Sequence, residues 1–126
     1  MTEPEWFTYE QAVAAHSLQL RRYGGAPGLG DEGLLRSALE RPRNRWHYEG
    51  AELPELAATY AFGLIKNHAF IDGNKRIAFI SMVAFLRRNG VAFKPDQAQS
   101  TAIILAVAAG EVSEQSLARW IRDNSP

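Results

Sequence analysis

His68-Ala69-Phe70-Ile71-Asp72-Gly73-Asn74-Lys75-Arg76 joins two apolar helical segments and gathers polar chemistry where they meet. Upstream, Leu53, Leu56, Ala57, Tyr60, Ala61 and Leu64 recur at i, i+3 and i+4, with Pro54 suited to the first turn. His68 follows Leu64 by four positions, so the spacing places it at the end of that inner face. Downstream, a helix is expected from near Asn74 to Asn89-Gly90, with only Ser81 polar in its middle. A helix apolar all round is a buried one, so this fourth helix is expected to be central.

Working outward, Thr8 and Gln11 have capping-box spacing, with Phe7 ahead as a staple residue. The first helix then uses Ala12, Val13, His16 and Leu20 as its inner stripe and ends at Tyr23-Gly24-Gly25. Gly24 to Gly30 reads as a loop. Asp31 caps a short second helix through Leu34, Leu35, Ala38 and Leu39, which Pro42 is expected to stop. Arg43 to Gly50 shows no helical period and reads as an exposed loop or short hairpin. After Val91-Ala92-Phe93, Asp96 and Gln99 suit the start of a fifth helix running to Gly110. Ser113 caps a sixth, with Leu117, Trp120 and Ile121 facing in. The expected fold is all-α: one domain over 1–126, about six helices around a buried fourth.

Composition narrows the function classes. The chain has 126 residues, 46% hydrophobic and 22% charged, which fits one globular domain. Formal net charge is zero, so no global field favours nucleic acid or a membrane. With no cysteine, disulfides, thiolate nucleophiles and cysteine–metal sites are excluded. The acidic start Met1-Thr2-Glu3-Pro4-Glu5 lacks the apolar core of a signal peptide, and a cytoplasmic location is expected.

The loop supplies parts for phosphoryl or nucleotidyl transfer. The first amides of a helix lack intrahelical partners and the helix dipole adds positive potential, which suits an anion. Lys75 and Arg76 in that first turn oppose the dipole, a penalty that a bound phosphate would reverse. Asp72 is a hard oxygen ligand suited to a Mg²⁺ that travels with a nucleotide. His68 is a candidate general base, and Asn74 offers an amide to a phosphate oxygen. Taken singly, each has a plainer reading: a hydrogen-bonded histidine, a turn, a solvated basic pair. Taken together at this spacing, the catalytic reading leads.

The nine residues match the pattern His-x-Phe-x-Asp/Asn-x-Asn-x-Arg at every defined position, and the chain resembles the Fic/Doc family, most closely its Doc toxin branch. The likeness extends to Arg22-Tyr23-Gly24-Gly25, Pro27-Gly28, the Asp31–Pro42 segment and Arg87-Arg88-Asn89-Gly90, nearly the whole chain. The resemblance implies that His68 activates a target hydroxyl, Phe70 anchors the loop, and Asp72 binds Mg²⁺. It implies that Gly73, Asn74 and Lys75 present an anion hole and that Arg76 holds nucleotide phosphate.

Lys75 replaces the glycine usual in members that transfer AMP, and Phe79 replaces a second arginine. The lost arginine removes one phosphate contact, while the resemblance implies that the Doc branch shares the lysine. There the resemblance implies reversed ATP and γ-phosphate transfer to a threonine of elongation factor Tu. Gly73 keeps the Fic-like glycine where some Doc proteins have alanine. At Glu49-Gly50 the inhibitory Ser/Thr-x-x-x-Glu-Gly/Asn motif is not met, since Arg45 stands four residues before Glu49. That fits silencing by an antitoxin with a tail that folds on binding, as the Doc resemblance implies. Arg43–Gly50, with Arg45, Trp46 and Tyr48, stands where a target-docking flap is expected.

Two other classes stay open. One is a Fic-type AMP transferase acting on a protein hydroxyl. The other is a helical binding module, for which Arg41, Arg43, Arg45, Lys75 and Arg76 supply local positive charge.

Overall fold

The Thr8 hydroxyl accepts the Gln11 N–H at 3.2 Å while the Gln11 side chain accepts the Thr8 N–H at 2.9 Å. This reciprocal pair satisfies two donors that a helix start leaves open. In the computed structural model, which describes residues 2–126, the helix it starts is α1, Tyr9–Tyr23. Five more come after it: α2 (Glu32–Glu49), α3 (Leu53–Asn67), α4 (Asn74–Arg88), α5 (Gln97–Ala108) and α6 (Glu114–Asp123). Asp31, Asp96 and Ser113 cap α2, α5 and α6 through side-chain oxygens on backbone N–H groups. Among the described residues there is no strand, and one isolated antiparallel bridge pairs Leu29 with Phe70. The all-α class and the six helices agree with the pattern in the sequence. No helix among the described residues is long and apolar enough to cross a membrane.

Two readings are corrected. The first concerns Pro42, which does not stop α2. The helix continues seven residues past it to Glu49, with Gly50 in the left-handed region as its C-cap. An internal proline removes one backbone hydrogen bond and costs about 3 kcal/mol. Contacts made by residues on either side of Pro42 offset this. Trp46 packs edge-on against Trp6, with ring centroids 6.2 Å apart. Arg45 donates to Glu114 Oε2 at 3.1 Å and to the Thr59 hydroxyl at 2.9 Å. Arg41 donates to Glu114 Oε1 at 2.9 Å. Arg43–Gly50 is therefore helix plus cap rather than loop or hairpin, and it offers no strand edge for docking. Of the three residues singled out there, Arg45 and Trp46 are half-buried structural contacts, and only Tyr48 stands clear in solvent.

The second correction concerns the hub. α3 packs against α2, α4 and α6 and also meets α5. Leu56 to Ala61 and Gly63 to Ile65 are all buried. In α4, Ile77, Ala78, Ser81, Met82, Phe85 and Leu86 are buried, but Phe79, Ile80 and Val83 are half-exposed and line a groove. The fourth helix is thus central on two sides and open on a third.

The N-terminal segment closes the far end of α4. Trp6 stacks on Phe85, and Asn89 both accepts the Glu5 N–H at 2.8 Å and donates to the Glu5 carbonyl at 3.0 Å. Buried Tyr60 accepts the Phe7 N–H at 3.0 Å, and burial pushes its phenol up to about 12.

Glu114 is the carboxylate on which Arg41, Arg45 and Thr59 converge. Glu114→Ala leaves these donors without their acceptor, which we expect to lower stability by about 1–3 kcal/mol. Thermal melts check this. Arg45→Ala should lower stability too, and the double variant should fall short of the sum because the two share one network.

Candidate functional site

α3 ends because His68 adopts φ 48° and ψ 51°, the left-handed region, and is its C-cap. It is the one non-glycine residue with positive φ among those described. That turn swings His68 out of the inner face to which helical spacing assigned it, and its side chain is exposed. Ala69 and Phe70 then run inward and are buried. The Gly30 and Asp31 N–H groups donate to the Ala69 carbonyl at 2.8 and 3.1 Å, and the Ile71 N–H donates to the Gly28 carbonyl at 3.0 Å. The glycine-rich α1–α2 loop is therefore paired with the 68–76 stretch, a contact that no periodicity in the sequence announces.

Gly73, at φ 81°, turns the chain into α4 as its N-cap. Glycine takes this backbone without strain and adds no side chain to cap the helix. The first amides of α4 thus stay unoccupied, unlike those of α1, α2, α5 and α6. The Asn74 side chain does not serve a phosphate. It is buried, accepting the Phe70 N–H at 3.0 Å and donating to the Phe70 carbonyl at 2.9 Å. Only the backbone N–H of Asn74 is left for an anion.

A cavity of about 340 Å³ lies over this helix end, lined by Ile65, His68, Asp72, Gly73, Asn74, Lys75, Arg76 and Ala108. Lys75 and Arg76 are exposed, and neither joins an ion pair among the described residues. Arg76 donates to the Gly24 carbonyl at 3.3 Å, with its guanidinium 5.5 Å from the Tyr23 ring centroid.

Asp72 Oδ1 accepts the Gly73 N–H at 2.8 Å and Oδ2 accepts the Ala26 N–H at 3.3 Å. The Gly73 N–H first, then that of Ala26, holds this carboxyl below its usual range; Arg76 and Lys75 help and loss of solvation opposes them. Gly25 belongs to the same contact, because a Cβ there would stand 2.9 Å from Asp72 Oδ2.

No group of three His, Asp or Glu side chains among the described residues is placed to hold a metal by itself. An ionised, exposed carboxylate whose oxygens keep free lone pairs does fit a Mg²⁺ that brings phosphate and water as its remaining ligands. The site thus offers one imidazole, one carboxylate, two exposed cations and a helix end, arranged around a space open to an anion. Two residues escape motif reading. Ala26 acts through its backbone, which no residue type signals. His16, on α1, reaches the loop from far away in sequence.

Comparison with known proteins converges on the same region. The family model described as the Fic/DOC family matches residues 6–86. The chain is 38% identical over 114 residues to "Protein kinase doc" of Escherichia phage P1, covering 90% of each chain. It is 35% identical over 94 residues to "Toxin Doc" of Mycolicibacterium smegmatis, covering 73% of this chain and 70% of that one.

The left-handed backbone of His68 is a local strain that glycine relieves. His68→Gly should raise stability by about 1 kcal/mol, measured by thermal or denaturant unfolding, while removing the imidazole from the cavity. The Asp72 contacts carry their own pH signature. A carboxyl lowered by folding stabilises the loop at pH above its free value of about 3.9, and that stabilisation is lost as pH falls through the lowered value. NMR titration should show the Gly73 and Ala26 amides moving together below that free value, and Asp72→Asn should abolish the transition.

Proposed function

The chain belongs to the Fic/Doc family, and from that membership we propose that it is a Doc-type toxin that transfers the γ-phosphate of ATP to a threonine or serine hydroxyl of a translation factor such as elongation factor Tu. The observation that carries the reading is Lys75, exposed at the uncapped start of α4 in the same cavity as His68. The similar phage protein is named a kinase, and the mycobacterial one a toxin.

In this reading the target hydroxyl gives its proton to His68 as its oxygen attacks the γ-phosphorus. The bond from that phosphorus to the β,γ-bridging oxygen breaks, and ADP leaves. General-base assistance of this kind contributes about 10²- to 10⁴-fold. The α4 amides, Lys75 and Arg76 hold the phosphates, since charge neutralisation and positioning supply most of the catalysis in phosphoryl transfer. Asp72 is the ligand for Mg²⁺, which when bound neutralises phosphate charge. Arg76 exchanges the Gly24 carbonyl for a phosphate oxygen.

The second cleft, about 740 Å³, supports a partner antitoxin. Phe79, Ile80, Val83, Ile104 and Leu105 give it an apolar floor, and Lys75, Arg76 and Arg87 a basic rim. An acidic amphipathic tail that folds on binding suits both. Because Lys75 and Arg76 line both clefts, such a tail would shield the phosphate site.

Labelled ATP tests the reaction. With Mg²⁺ and bacterial lysate, label should reach a protein from the γ position and not from the α position. His68→Ala should reduce transfer at least about 100-fold with the fold retained. Label from the α position would instead establish AMP transfer, and Lys75→Gly should favour that outcome. Labelling undiminished in His68→Ala would refute the role of the histidine.

A further inference from the structure

His16 is 4% exposed, lies on α1 and takes no part in the chemistry proposed above. Its Nε2 sits 2.7 Å from the Asp72 carbonyl oxygen. A carbonyl can only accept, so this nitrogen carries a proton and donates. The ring also stacks on Phe70, with centroids 3.7 Å apart and planes 13° from parallel. A phenylalanine or leucine would fill the same volume without burying polar atoms, so packing alone does not require an imidazole.

The peptide unit explains what the hydrogen bond achieves. A trans peptide is planar, and its C=O and N–H point in opposite directions. With the Asp72 carbonyl held on the α1 side, the Gly73 N–H of that same peptide is thrown to the other side. There it donates to Asp72 Oδ1 at 2.8 Å. His16 thereby sets the plane of one peptide, and that plane sets the carboxylate.

We infer that His16 is a positioning residue: through the Asp72–Gly73 peptide it fixes the Asp72 carboxylate and the turn into α4 that exposes the phosphate-binding amides. The inference rests on the proposed phosphate and Mg²⁺ site for its functional meaning, but the mechanical link stands on the contacts alone.

Two variants separate this role from ordinary packing. His16→Phe keeps the stack on Phe70 and loses the donor. His16→Gln restores an N–H at about the same reach. The measurements are thermal stability, hydrogen exchange at the Gly73 amide, and affinity for ATP with Mg²⁺ and with EDTA. His16→Phe should melt close to the parent while Gly73 exchanges roughly tenfold faster, a local rather than global opening. Its affinity for ATP with Mg²⁺ should fall roughly three- to tenfold, the range of one hydrogen bond, with little change in EDTA. His16→Gln should recover most of both effects. Gly73 exchange unchanged in His16→Phe would overturn the inference. So would faster exchange that merely tracks global destabilisation and is not rescued by glutamine. If no protein, parent included, binds ATP, the reading of the cavity falls, while the exchange measurements still decide the role of His16.

Discussion

Everything at the cavity depends on where one side-chain amide points. Asn74 is the first residue of α4, and its side chain turns back to bond both the N–H and the carbonyl of Phe70. That closed pair lets the chain reverse between α3 and α4 within six residues while keeping Phe70 in the core. A buried amide without these partners would cost a few kcal/mol, so the loop is held by a penalty as much as by an attraction. Asn74 stands one position inside the helix, so the capping position falls to Gly73, which has no side chain to cap with. With glycine before it, α4 begins with donors exposed and its dipole unscreened, and two cations stand where local helix energetics disfavours them. The structure spends the helix end on the cavity instead of on a cap.

Around that point the packing is ordinary. α3 is wrapped by its neighbours, the N-terminal segment seals the far end of α4 through Trp6 and Asn89, and Glu114 ties α6 to α2 and α3. These contacts lie away from the cavity and keep α3 and α4 in register. The loop between them can then be short and still hold its functional side chains in one place.

Signals confined to a few neighbouring residues were legible in the sequence. Thr8 with Gln11, Asp31, Asp96 and Ser113 each marked a helix start, and the 68–76 pattern marked the turn between α3 and α4. What failed depended on distant partners or on backbone geometry that residue type and spacing do not encode. Pro42 reads as a stop until Trp6 and Glu114 appear beside the turns that flank it. His68 reads as inward until its backbone is found left-handed, because helical periodicity carries no information about the residue that ends the helix. Asn74 reads as a ligand because its type is right, whereas its side chain is already engaged. His16 lies in the predicted inner stripe of α1, but its partner is a backbone carbonyl 56 positions away, and such a contact leaves no trace in spacing.

The shared wall between the two clefts has a genetic consequence. Lys75 and Arg76 face both spaces, so a change at either alters two surfaces at once. Phe79, Ile80, Ile104 and Leu105 line only the larger groove, while His68 and Asp72 line only the smaller cavity. Alleles at the first group can drift with whatever occupies the groove, and alleles at the second answer to the cavity alone. Alleles at Lys75 and Arg76 answer to both, so variation there is doubly filtered, and a loss of phenotype traced to either residue names its cause only after both clefts have been assayed.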